Sequence, residues 1–126
     1  MNHDCVDYVS TAFGPHLRGL LNASLRSRPP PSGLPALISS LLRQALHNID
    51  QTITSDFLAL FPRELDAVSK LNPMHVKNLL NDKTRESSGY HKTARAFGGT
   101  TALVTLVDPT RSKLWVANVG DCVAGR

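Results

Sequence analysis

Cysteine, aromatic residues and long apolar runs are all scarce in this chain, and each shortage removes a class of protein. Only two cysteines, Cys5 and Cys122, occur in 126 residues. That is too few for a disulfide framework, so reduced thiols in an intracellular protein are expected. No run of 18 apolar residues is present, which excludes a transmembrane helix and gives no reason to expect a membrane partner. The start, Met1-Asn2-His3-Asp4-Cys5, has neither the basic-then-apolar order of a secretory signal nor the Arg-rich character of a presequence. Cytoplasm and mitochondrion are not distinguished. The five histidines, at positions 3, 16, 47, 75 and 91, show no H-x-x-x-H or H-E-x-x-H spacing, and there is no C-x-x-C; a zinc site is not indicated. Ser87 and Ser88 lack a G-x-S-x-G elbow. Gly98-Gly99 is followed by no Gly-Lys-Ser/Thr, so it is not a phosphate loop.

What is present suits a globular segment of one domain at most. Hydrophobic residues make up 41 % and charged residues 19 %, which is not the composition of a disordered chain. The net charge is +4, but the cations are dispersed. Arg18, Arg26 and Arg28 lie near one linker, and Lys83, Arg85, Lys92 and Arg95 lie in a second polar stretch. No basic helix face interleaved with aromatics occurs, so nucleic acid is not an expected partner.

The hydrophobic period divides the chain. Val6, Val9, Phe13, Leu17, Leu20 and Leu21 recur at spacings of three and four, predicting a helix over 4–25 that begins at Asp4. Pro15 predicts a kink or break near Phe13. Residues 26–33, with three successive prolines, read as a stiff spacer. Leu37, Leu41, Leu42, Ala45, Ile49, Ile53, Phe57, Leu58 and Phe61 predict a second helix over 34–61, with Pro35 in its first turn. Residues 62–96 turn polar and read as an insertion. It carries one short helix starting at Asn72-Pro73 and a mobile stretch over 82–93. Residues 97–126 read as a β-hairpin with a Gly-Asp motif. Thr101 to Val107 and Leu114 to Val119 are rich in β-branched residues, and Asp108-Pro109-Thr110-Arg111-Ser112 is turn chemistry. Val123 begins an expected third strand.

Gly99-Thr100-Thr101-Ala102, a strand and turn, then Val116-Ala117-Asn118, Gly120-Asp121 and Ala124 resembles the paired signature G-S/T-T-A … V-A-N-x-G-D-S-R-A of the metal-dependent protein serine/threonine phosphatases (PPM or type 2C). The resemblance implies an α+β fold, here part of an αββα sandwich represented by two helices and a central hairpin. It also implies a hydrolase acting on phosphoserine and phosphothreonine in phosphoprotein substrates, with Mg²⁺ or Mn²⁺ between two β-sheets activating a water. Carried over by position, Asp121 is a metal ligand. Thr101, Asn118 and Gly120 lie near the metal centre. No residue is assigned a direct catalytic role. The long insertion is similar to that of the pyruvate dehydrogenase phosphatase-like branch.

The departures set a further expectation. The family's D-G-H-G-G motif is absent, the later D-G and D-N acids do not occur, and Cys122-Val123 replaces the S-R after G-D. The chain is therefore expected to be a partial domain, inactive alone, with one sheet face left apolar and prone to associate. The alternative is a non-catalytic interaction module derived from the same scaffold.

Overall fold

A computed structural model describes residues 3–27, 33–85 and 88–121. Among them are five helices, α1 (Asp4–Arg26), α2 (Leu34–Leu58), α3 (Leu65–Ser69), α4 (Pro73–Asn81) and α5 (Gly89–Gly98), followed by strands β1 (Ala102–Val107) and β2 (Leu114–Val119). The class is α+β. The chain divides into two compact units, one of Met1–Val9 with Ile49–Gly99 and the other of Ser10–Asn48 with Thr100–Arg126.

In the second unit, β1 and β2 pair antiparallel, with Val104 opposite Ala117 and Leu106 opposite Trp115. Alternation along a strand sends these four side chains to one face. That face packs on the buried residues Leu17 of α1 and Ile38, Leu42 and Ala45 of α2, together with Phe13, Leu20 and Leu21. Ala45 is wholly buried, at 0 % exposure. Trp115 is also anchored by its indole N–H, which donates to the carbonyl of Pro35 at 3.3 Å. The opposite face carries Leu103, Val107, Leu114 and Val116, 38–63 % exposed.

The Asp108–Lys113 turn is built around one carboxylate. Asp108 Oδ1 accepts from the Lys113 backbone N–H at 2.7 Å. Its Oδ2 accepts from the Ser112 hydroxyl at 3.0 Å and from the Thr110 hydroxyl. Arg111 takes the left-handed conformation at φ 57° that closes the loop.

Pro15 does not break α1, which runs uninterrupted for 23 residues. A proline inside a helix costs about 3 kcal/mol or more. Phe13, Leu17, Leu20 and Leu21 form one stripe on both sides of it, all against the α2 core. Each large apolar side chain contributes up to roughly 1.5–3 kcal/mol when fully buried. The stripe therefore outweighs the proline.

The first unit corrects the reading of residues 62–96. It holds α3, α4 and α5 rather than one short helix, and α5 occupies part of the stretch expected to be mobile. Helix α2 ends at Leu58, short of Phe61. α4 starts where Asn72-Pro73 indicates: the Asn72 carboxamide oxygen accepts from the Met74 N–H at 2.8 Å, and Pro73 occupies the first turn. α5 opens on Gly89, where a Cβ would stand 2.0 Å from the Leu79 carbonyl oxygen, so only glycine lets α5 meet α4. Tyr90, Ala94 and Phe97 recur at a helical spacing on α5, and Phe97 stacks edge-on against Phe57 at 5.3 Å. His91 Nδ1 lies 2.5 Å from Asp4 Oδ1, and the Arg95 guanidinium sits 4.6 Å from the Tyr8 ring centre. Cys5 is buried beside them. Burial pushes its thiol pKa up, Asp50 adds to the rise and Arg95 opposes it. Cys122, the remaining proline-spacer residues and the expected third strand lie outside the described residues.

Two tests follow from this packing. Ala45→Leu forces a larger side chain into a filled site and is expected to lower stability by about 1–3 kcal/mol in urea denaturation. The Thr110 hydroxyl, with the Lys113 and Ser112 donors, holds the Asp108 carboxyl down to about 2 from an ordinary 3.8. A depressed carboxylate tightens the turn at neutral pH, and that contribution is lost as pH falls from about 4 through about 2. The carboxyl ¹³C shift of Asp108 is expected to titrate near 2, and to move back toward its ordinary value in Thr110→Val. A midpoint unmoved by that substitution would refute the assignment.

Candidate functional site at the open end of the hairpin

The register that pairs Ala102 with Val119 carries Thr101 and Gly120 past each other at the end opposite the turn. Gly120 has φ 91°, a conformation that disfavours every residue with a Cβ. A Cβ there would lie 2.5 Å from Thr101 Cγ2 and 3.0 Å from Thr101 Cβ. The glycine is thus fixed twice, by its dihedral and by the threonine pressed against it. The Asn118 carboxamide reaches round the same bend, and its Nδ2 donates to the Gly120 carbonyl at 3.4 Å. The Thr100 hydroxyl donates to the Thr101 carbonyl at 3.0 Å. Asp121 follows directly, exposed to solvent.

Thr101, Asn118, Gly120 and Asp121 therefore meet at one end of the hairpin. The strand ladder and the left-handed glycine set the direction in which the chain leaves β2 and hence where the carboxylate is carried. Cys122 to Ala124, the rest of the signature, lie outside the described residues.

A family model described as protein phosphatase 2C matches residues 16–124. The chain belongs to the protein phosphatase 2C family. No curated protein and no solved structure matches the chain significantly. The family match covers α2, the 62–96 segment and the hairpin alike, whereas the sequence motifs that suggested it cover only the last quarter. It gives no support to the pyruvate dehydrogenase phosphatase-like branch in particular. It does place the chain on a protein-phosphatase scaffold, in a family of hydrolases that act on phosphoproteins and are generally metal-dependent.

The fit of a metal ion can be judged on the donors at the hairpin end. Asp121 supplies one carboxylate, Thr101 a hydroxyl and Asn118 a carboxamide already turned to the backbone. Mg²⁺ takes six oxygens in near-octahedral geometry, and even its sparest protein sites combine one or two carboxylates with substrate phosphates and water. Among the described residues no three His, Cys, Asp or Glu side chains come together as a metal site. Asp121 by itself does not fit a tightly held divalent ion. None of the described helices is long and apolar enough to cross a membrane.

Sequence reasoning named the residues of this end but missed what locks them together. The contact between Gly120 and Thr101 depends on strand register, which neither motif contains. Gly120→Ala is expected to cost about 1–3 kcal/mol through backbone strain and the threonine clash. The loss should appear as a lower thermal midpoint, partly restored by Thr101→Ser, which removes the clashing methyl. An unchanged midpoint in Gly120→Ala would show that the bend is not held as described.

Proposed function

We propose that this chain is a segment of a metal-dependent protein serine/threonine phosphatase, one that hydrolyses phosphoserine and phosphothreonine esters with Mg²⁺ or Mn²⁺. Its contribution to the metal site is Asp121, with Thr101, Asn118 and Gly120 fixing the strand end from which that carboxylate projects. The observation that carries this reading is the hairpin itself. One face is packed on helices, the other is apolar and exposed, and the strand ends in a glycine-aspartate bend. That is the form of one half of a sandwich whose metals lie between two sheets. The exposed Leu103, Val107, Leu114 and Val116 are side chains that a second sheet would cover.

On this reading the chain's own residues position rather than catalyse. The ladder and the Thr101–Gly120 contact hold the end of β2 rigid, so Asp121 is presented from a strand terminus instead of a free loop. Rigid support of that kind is what a ligand site requires. The remaining carboxylates are not among the described residues near Asp121, and the isolated chain is proposed to be inactive.

The test uses the purified chain and its Asp121→Ala variant. Manganese on the order of 1 mM, a weak-site concentration, is expected to broaden amide NMR signals of residues 100–101 and 118–121. The broadening should disappear in the variant. Hydrolysis of a phosphothreonine peptide is expected to stay at the level of buffer with Mn²⁺. Broadening that is scattered over the chain, or unaffected by the substitution, would refute the assignment of Asp121. Turnover that needs Mn²⁺ and falls in Asp121→Ala would show that the chain holds a complete site.

A further inference from the structure

The first unit carries an apolar groove that the phosphatase reading does not use. A cavity of about 910 Å³ opens among α3, α4 and α5, with Phe61, Leu71, Leu80, Tyr90 and Phe97 in its walls. A second, of about 700 Å³, runs beside the end of α2. Phe61 and Val68 line both, so the two cavities adjoin across these side chains as a divided trough. Large apolar side chains stand at its margins in water: Phe97 is 76 % exposed and Leu65 is 88 % exposed.

The charged side chains that line this trough are cations, although Glu64 and Asp66 lie close by in the chain. Lys77 lines the first cavity and Arg63 the second, and no Asp or Glu is among the described lining residues of either. Asp66, on α3, is engaged by Lys70. Residues 62–98 hold seven Lys or Arg against four Asp or Glu, most of the chain's excess positive charge. The described residues of this unit include no strand, so an incoming chain finds no sheet edge to extend. Its walls are α3, α4, α5, the end of α2 and the connection over 59–63. An apolar trough without a sheet edge suits an amphipathic helix laid with its apolar face inward, and the two cations call for carboxylates on that helix's flanks.

We infer that this trough is a docking site for an acidic amphipathic helix of a partner protein. The inference does not rest on the phosphatase reading, because binding is measured without turnover.

The test uses two fluorescein-labelled helical peptides of about 18 residues, roughly five turns. Both carry leucine at i, i+3, i+4 and i+7. One has glutamate on its flanks and the other lysine. In fluorescence anisotropy the glutamate peptide is expected to bind roughly tenfold more tightly than the lysine peptide. The difference should shrink as NaCl rises from about 50 to 300 mM. Arg63→Glu with Lys77→Glu is expected to reverse the preference. Phe97→Ser should weaken binding of the glutamate peptide roughly fivefold. All three positions are exposed, and circular dichroism should confirm an unchanged fold. Should Phe97→Ser disturb α5, the charge-reversal pair still decides. Equal binding of the two peptides, no binding of either, or a preference that survives charge reversal would overturn the proposal. So would binding to phosphatidylserine vesicles without binding to the glutamate peptide, which would assign the surface to lipid.

Discussion

The second unit depends on the contact between one face of a two-stranded sheet and the buried stripe of α2. An isolated hairpin is marginal in water, because six residue pairs cannot bury enough surface to offset the entropy of ordering two strands. Here Val104, Leu106, Trp115 and Ala117 sit on Ile38, Leu42 and Ala45, with Leu17 of α1 closing the cluster. Ala45 matters through its smallness. It is completely buried, so a larger side chain there could not escape to solvent and would press on helix and sheet. The indole of Trp115 satisfies its N–H on the Pro35 carbonyl, in the first turn of α2, so one side chain joins the ends of two elements by packing and by a hydrogen bond. Everything at the far end of the hairpin inherits its position from this contact, including the bend at Gly120.

The hairpin also shows how local chemistry and tertiary packing share the work. The turn organises itself, with Asp108 collecting hydroxyl and backbone donors within six residues. The opposite end cannot do so. Gly120 and Thr101 are far apart in sequence and meet only if register is right, since a shift of one residue would reverse every side chain. Register is in turn selected by the apolar face that α2 covers. A substitution at Ala45 and one at Gly120 would therefore act on the same structural feature from two ends, one through packing and one through backbone strain.

The parts legible in the sequence were those with strong local signals. The hairpin arms carry β-branched residues around polar turn chemistry, α2 keeps a helical period through most of its length, and Asn72-Pro73 is a cap that the structure uses as a cap. The parts that were not legible depend on partners. Pro15 is a helix breaker by local rule, and α1 passes through it because the stripe around it is buried. α5 was hidden by its composition. It starts at a glycine, follows a polar run and carries little apolar surface. Its one usable signal was the spacing of Tyr90, Ala94 and Phe97. The glycine that weakens its helix propensity is the residue that lets it approach Leu79, so the local cost serves a tertiary contact. At the candidate site, motif order gave the residue identities, while the geometry that makes them one site needed strand pairing.

The two exposed apolar surfaces have different chemistry, and the difference bears on function. The outer face of the hairpin lies beside a candidate metal ligand and is made of alternate strand residues. A sheet face of this kind is most naturally covered by another sheet. The trough of the first unit is concave, built from helices and the 59–63 connection, and lined by Lys77 and Arg63. A second sheet would not fill it. The sandwich proposal is argued from the hairpin face alone and gives Phe97 and Leu65 no role. A protein that keeps large apolar side chains in water beside like charges spends stability for no return within its own fold. Recruitment of an acidic helix would give those side chains a use distinct from holding a metal.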